Sequence, residues 1–240
     1  MRELPREVVD AACDGNFEIV QKQWLDVGGD VNAVHDGRLT LLKCAAMHGR
    51  ADLVRYLLSR GADVNYATEY AETALQWACG GSSPDIEVLK LLISAGANIN
   101  ARNGNLWTPL GIYLFNESNS LRTEVVALLL RHGASLDNCK GIGGSAEDAL
   151  IRRRSVWTDA DRSPSKEDWE AVMELFRNVR AAGGWKRFCR LPHEDILRLA
   201  ALVARGHAEP TQQTEMVFIR LFRLRHRPLR NVLEFWRAPY

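Results

Sequence analysis

Lysine is scarce in this 240-residue chain: of 31 basic side chains only 6 are Lys, and the other 25 are Arg. Long apolar runs are missing. No stretch approaches the ~20 consecutive apolar residues that a membrane-spanning helix needs. The opening MRELPREVVDAACDG carries charges throughout and has no apolar core of a secretory signal. Cysteine is sparse and odd in number. Cys13, Cys44, Cys79, Cys139 and Cys189 stand 31, 35, 60 and 50 residues apart, with no CxxC pair for zinc or redox chemistry. Three of them sit beside alanine, so small buried packing residues in a reducing compartment are expected. The expected location is cytoplasmic, with the nucleus left open.

The signatures of common catalytic sites are absent too. There is no GxxxxGKS/T phosphate loop, no HExxH and no GxSxG elbow. GIGG at 141–144 has no following Lys-Ser/Thr and reads as a flexible hairpin. His193-Glu194-Asp195 occupies the first turn of a helix, where carboxylates serve the dipole. His35 and His48 could approach on neighbouring turns, but they bring no third ligand for zinc. We therefore expect no catalytic residue, no metal, no cofactor and no enzyme.

What is present is a repeat. Apolar residues make up 46% and charged residues 25%, ordinary for a folded chain. Within it, GGDVNA (28–33), GADVNY (61–66), GANINA (96–101) and GASLDN (133–138) are versions of one phrase, with first glycines 33, 35 and 37 residues apart. Each follows an apolar helical run: VQKQWL, LVRYLL, VLKLLI and VVALLL. Eight residues past the phrase's Asn, a threonine opens another helix at Thr40, Thr73 and Thr108. Threonine there accepts a bond from a first-turn N–H. Gly61, Gly96 and Gly133 suit a left-handed helix terminus. No single unit can bury its apolar face, so such units must stack and terminal ones must be atypical.

These residues resemble the ankyrin repeat, whose pattern is TPLHxAAxxG followed by LVxxLLxxGADVNA. The resemblance is clear over about 15–140 and extends more weakly to about 4–184. It implies an all-α solenoid of stacked helix-turn-helix repeats with projecting β-turn hairpins. Four repeats are clear. A degenerate fifth would use SAEDALIRRR (145–154) and SKEDWEAVMELFRNVRAAG (165–183), with SVWTDADRSP between them. The TPLH histidine is replaced by Lys43, Gln76 and Gly111, so its usual bonding is lost or altered. Loops grow along one side: two extra residues in CGGSSPD (79–85) and four in FNESNSLRT (115–123). The first repeat has an extra residue in VQKQWL, which fits an N-terminal cap.

The resemblance also implies a protein-binding role through a concave surface of hairpin tips and helix faces. Carried over by position, that surface is His35, Asp36, Met47, His48, Glu69, Tyr70, Glu72, Trp77, Asn105 and Trp107. Aromatics among acids suggest a partner segment with Arg or Lys beside apolar anchors. Trp77 reads equally as a core residue.

Past Gly184 the pattern stops, giving a division into 1–184 and 185–240. Three short helices are expected over LPHEDILRLAALVARG, TEMVFIRLFRLR and PLRNVLEFWR. Arg220, Arg223 and Arg227 share one face of the second. Residues 185–240 hold 11 basic and 5 acidic side chains. They read as a cap on the solenoid or as a docking module. Their placement resembles a SOCS box, a ubiquitin-ligase adapter, which would make the chain a substrate receptor. However, Ala201 stands where that motif has Cys, and its LPxP survives only as LRHRP. Nucleic acid or acidic lipid is the remaining alternative for the Arg face. The net charge of +1 is a cancellation: residues 1–140 carry 13 basic and 17 acidic groups (−4), residues 141–240 carry 18 and 13 (+5).

Overall fold

The computed structural model describes residues 3–118, 120–137, 139–140, 144–155 and 166–189. The three expected C-terminal helices, with Arg220, Arg223 and Arg227, lie outside the described residues. So do most of the SVWTDADRSP insertion and GIG of the GIGG turn.

The helices are α1 (Arg6–Asp14), α2 (Phe17–Ile19, continuing as a π-helical turn over Val20–Leu25), α3 (Leu41–Met47) and α4 (Ala51–Ser59). Then follow α5 (Ala74–Gly80), α6 (Ile86–Ser94), α7 (Pro109–Phe115), α8 (Thr123–Arg131), α9 (Ala146–Ser155) and α10 (Lys166–Ala181). Among the described residues there are helices and isolated β-bridges but no strands. Among the described residues the chain forms two packing units, one of the residues up to Leu121 with those from His132 to Trp169, the other of Arg122–Arg131 with those from Glu170 to Cys189.

In the first unit α1, α3, α5, α7 and α9 pack each on the next, while α4 packs on α6. The small residues expected to permit this approach are buried: Ala45, Ala46, Ala78, Cys44 and Cys79. None of the five cysteines forms a disulfide; Cys13 and Cys189 are only half-buried. Burial pushes the Cys79 thiol far up.

Each threonine expected to open a helix does so. The Thr40 hydroxyl accepts from Lys43 N–H at 3.3 Å, Thr73 from Gln76 at 3.4 Å and Thr108 from Gly111 at 3.2 Å. At Thr73 the Gln76 side chain accepts the Thr73 N–H in return, closing a capping box. At the other helix end Gly61, Gly96 and Gly133 take φ of 85°, 89° and 92°. No neighbour lies within 4 Å of where a Cβ would sit there. Backbone conformation, not space, selects glycine at these positions.

The extra residue of VQKQWL is absorbed in the π-helical turn. Asp26 N–H bonds the Gln21 carbonyl at 2.8 Å and Gly29 N–H the Trp24 carbonyl at 2.8 Å. The widened turn seats Trp24, 1% exposed, with its indole N–H on the Asp30 carbonyl at 2.9 Å. A Cβ on Gly29 would lie 2.4 Å from that ring.

The repeated phrase forms a ladder across the stack. Within each phrase a side chain accepts the N–H two residues on: Asp30 from Asn32, Asp63 from Asn65, Asn98 from Asn100, Ser135 from Asp137. The following Asn then crosses to the next repeat. Asn32 Oδ1 accepts from Asp63 N–H at 2.8 Å, Asn65 Oδ1 from Asn98 at 2.8 Å and Asn100 Oδ1 from Ser135 at 2.9 Å. The amides of Asn65 and Asn100 also donate to the carbonyls of Gly96 and Gly133, at 3.0 and 2.9 Å.

The position where the ankyrin pattern has histidine is filled three ways. Lys43, 1% exposed, donates its ammonium to the Arg38 carbonyl at 3.3 Å and the Thr68 hydroxyl at 2.9 Å. Gln76 donates its amide to the carbonyls of Ala101 at 3.0 Å and Trp107 at 2.9 Å. Gly111 has no side chain because the next hairpin fills the space: a Cβ would lie 2.1 Å from the Cys139 carbonyl oxygen. That oxygen accepts the Thr108 N–H at 3.1 Å. The inter-repeat bond is therefore kept in altered form by Lys43 and Gln76, and replaced by backbone contact at Gly111.

The long loops of the third and fourth repeats are tied together. The Asn116 amide donates to the carbonyls of Gly80 at 2.7 Å and Gly81 at 3.1 Å. The Tyr113 hydroxyl donates to the Ser120 carbonyl at 3.0 Å. The two segments expected as helices of a fifth repeat are each helical, as α9 and α10.

In the second unit α8 is buried from Val125 to Leu130, and α10 buries Val172, Leu175, Phe176 and Val179. After α10 the chain turns at Gly183 and Gly184, with φ of 76° and 117°. A helical turn over 185–189 brings Trp185 and Phe188 together at 5.6 Å.

Two stability predictions follow from the histidine positions. Gly111→Ala forces the fourth hairpin away from α7 and is expected to cost about 1–3 kcal/mol, read as a lower urea midpoint at constant slope. An unchanged midpoint would refute the close approach. Burial, opposed by the Glu72 carboxylate, lowers the Lys43 ammonium to about 8, from 10.5 when unfolded. Below pH 8 both states are protonated and the fold carries the cost of a buried charge. Between 8 and 10.5 only the unfolded state holds the proton, so this group makes stability rise with pH. Buried Cys79 acts oppositely, since its thiol ionises more readily when unfolded. The difference between wild type and Lys43→Gln isolates the lysine: it should move in favour of wild type from pH 8 to 10.5. A flat difference would contradict it.

Candidate functional site

The hairpins that join one repeat to the next project from the first unit, and three of their tips carry a non-glycine residue at left-handed φ. These are Asp36 at 47°, Ala71 at 54° and Leu106 at 60°. The first hairpin is closed by His35 and Leu39, which exchange N–H···O bonds at 2.8 and 3.0 Å. The second and third are joined directly, the Gly104 N–H donating to the Tyr70 carbonyl at 2.7 Å. The third and fourth are joined by the bridge between Trp107 and Lys140.

The residues expected to form the binding face separate into three groups. The first is a cluster between hairpins one and two. Tyr70 is 51% exposed, and the Arg38 guanidinium lies over its ring at 4.7 Å. Arg38 also reaches the Glu72 carboxylate at 3.7 Å, and that carboxylate accepts the Trp77 indole N–H at 3.1 Å. Trp77 and Glu72 are half-buried, so Trp77 belongs partly to the core and partly to the face. The Glu69 carboxylate sits against Gly37, 3.1 Å from where its Cβ would be, spanning the two hairpins. The acidity expected from sequence is thus partly neutralised: Glu72 is committed to Arg38 and Trp77, while Glu69 and Asp36 remain exposed.

The second group surrounds Trp107. Its ring is half-buried and stacks tilted on Phe115 at 4.8 Å. The Lys140 ammonium lies 4.6 Å from the Trp107 centroid and 5.3 Å from that of Phe115. With its carbonyl holding Gln76, Trp107 is a strut between hairpins more than a protruding anchor. Asn105 is exposed, with its N–H on the Asn103 side chain at 3.1 Å.

The third group lies apart along the chain. Met47, 36% exposed, and His48 end α3. The Met47 carbonyl lies 2.6 Å from where a Gly81 Cβ would be, so the expanded loop of repeat three closes over the end of α3. His35 is half-buried, and its Nδ1 faces the Leu4 carbonyl at 2.8 Å. Its Nε2 lies 3.4 Å from Asp36 Oδ2.

Sequence reasoning missed Arg38, Lys140, Phe115 and Glu3. Arg38 stands in the first hairpin between named positions, so its place was legible but its partner was not. Tyr70 is 32 residues away, and only the stacking of two hairpins brings them together. No helix among the described residues is long and apolar enough to cross a membrane.

Comparison with known proteins agrees with this geometry. The family model for ankyrin repeats (three copies) matches residues 8–103. Ankyrin repeat domain-containing protein M-T5 of Myxoma virus (strain Lausanne) is 30% identical over 142 residues, 57% of this chain and 29% of that protein. Ankyrin repeat and SOCS box protein 16 of Mus musculus is 36% identical over 123 residues, 49% of this chain and 26% of that protein. Ankyrin repeat and SAM domain-containing protein 6 of Rattus norvegicus is 35% identical over 173 residues, 69% of this chain and 19% of that protein. The chain thus spans less than a third of each of these relatives. The capped helices, the asparagine ladder and the matched repeats have one reading: the chain is an ankyrin-repeat protein with an all-α solenoid fold.

Proposed function

We propose that this chain is a non-enzymatic adapter that binds a partner protein through the concave ankyrin surface. Ankyrin repeats mediate protein–protein interaction, which supports the general role. The observation that carries the specific reading is Tyr70: a large aromatic, 51% exposed, held in place by Arg38 above its ring and Gly104 on its carbonyl. An exposed aromatic that needs no ordering on binding is the kind of group on which interface energy concentrates. Met47 and Leu106, 36% and 41% exposed, supply further apolar contact. Asp36 and Glu69 favour a partner segment that sets Arg or Lys beside an apolar anchor. Residues 1–184 would carry this surface and 185–240 a cap or second docking element. The proposed location is cytoplasmic.

Affinity purification with the full chain, quantified by mass spectrometry, tests the reading. Tyr70→Ala is expected to weaken the captured partner's affinity by about 2 kcal/mol, roughly thirtyfold, with thermal unfolding nearly unchanged. Trp107→Ala is the wrong probe, because it removes a strut. Capture unimpaired by Tyr70→Ala together with Glu69→Lys would remove the claim. Elongin–cullin components retained by both variants would favour the substrate-receptor alternative, whose docking would run through residues 185–240.

A further inference from the structure

The sequence offers His48 as the neighbour of His35. The fold instead brings His35 together with Asp36 and with Glu3, from the segment that precedes α1. One ligand atom from each lies within 4.8 Å of the other two, and His48 is not in the group. From this convergence we propose that Glu3, His35 and Asp36 bind a divalent transition-metal ion of the zinc type.

Three observations carry it. The first is the orientation of the imidazole. A backbone carbonyl can only accept, so the 2.8 Å contact to Leu4 requires the proton on Nδ1. In the neutral ring Nε2 then presents its lone pair toward the carboxylates. A ring N–H on a backbone carbonyl, with the other nitrogen on the metal, is how proteins orient metal-binding histidines. Leu4 is itself fully buried, and its N–H bonds the Val34 carbonyl at 3.2 Å, so the orienting group is fixed.

The second is distance. His35 Nε2 and Asp36 Oδ2 are 3.4 Å apart, long for a charge-assisted hydrogen bond of about 2.7–2.9 Å. It is close to the spacing of two ligands on one tetrahedral zinc with bonds of about 2.0–2.1 Å. The third is the donor set. One imidazole and two carboxylates favour zinc over the all-oxygen shells of magnesium and calcium. Glu3 is exposed and its carboxylate already reaches the Asp36 N–H at 3.4 Å, so a side-chain rotation completes the triad. Water takes the fourth position.

The ion ties the segment before α1 to the tip of the first hairpin. Zinc stiffens the first repeat and sets the hairpin that carries Arg38.

The test is titration of the full chain with zinc chloride under reducing conditions, by calorimetry and by thermal unfolding, with magnesium and calcium in parallel. Wild type should bind one zinc at the triad and unfold at higher temperature with it, and should ignore the other two ions. Glu3→Gln, Asp36→Asn and His35→Gln should each weaken that event tenfold or more and cancel the thermal gain. Glu3 and Asp36 are exposed, so their variants remain informative if His35→Gln disturbs the Leu4 contact. Absence of zinc binding by wild type at ~100 μM overturns the proposal. Binding that is unchanged in both Glu3→Gln and Asp36→Asn assigns zinc to other ligands, the thiols included, and overturns it equally.

Discussion

Asparagine side chains at the base of each hairpin carry the connection on which the stack depends. Asn32, Asn65 and Asn100 each accept an N–H of the following repeat, and the latter two also donate to its glycine carbonyl. Both groups served lie at the turn leaving a helix, where backbone donors and acceptors have no intrahelical partner. One residue type therefore satisfies two orphan groups and sets the spacing between repeats. Each bond is exposed and contributes only about 0.5–1.5 kcal/mol. Their effect comes from repetition, since the stability of a stacked array is roughly the sum of its units and nearest-neighbour interfaces.

With the hairpin bases tied, what happens above them is free to vary. Lys43, Gln76 and Gly111 occupy equivalent places and solve one geometric problem at different heights. A lysine reaches a threonine hydroxyl, a glutamine reaches two carbonyls, and at Gly111 the next hairpin comes close enough to need no side chain. The lysine costs most, because its ammonium is desolvated. The glycine is the least tolerant of change, because backbone cannot yield as a side-chain tip can.

This division explains what was legible in the sequence. Thr40, Thr73 and Thr108 act within four residues of themselves, and the glycines act through their own φ, so local pattern sufficed. The extra residue of VQKQWL was countable, though not its outcome as a π-helical turn seating Trp24. For the proposed face, the hairpin positions were legible and the contacts of their side chains only partly so. Trp107 was expected at a tip, but Phe115 and Lys140 cover it, and neither contact has a local sequence signal. Glu72 was read as an open charge, whereas Arg38 and Trp77 hold it. Pairings between residues some 30 positions apart follow from the repeat spacing only once the register of stacking is known.

The tips themselves argue for a surface set by few side chains. Asp36, Ala71 and Leu106 stand 35 residues apart and all adopt left-handed φ. For a residue with a Cβ that conformation costs roughly 1–2 kcal/mol. It persists because the hairpins beneath are over-determined, by the exchange between His35 and Leu39 and by the bond from Gly104 to Tyr70. A backbone held this way does not reshape itself to a ligand. On the proposed reading, recognition rests on the side chains that the fixed backbone leaves exposed, chiefly Asp36, Glu69, Tyr70 and Leu106. On that reading substitutions there change what is bound, while substitutions at the ladder asparagines or at Gly111 disturb the backbone that presents them.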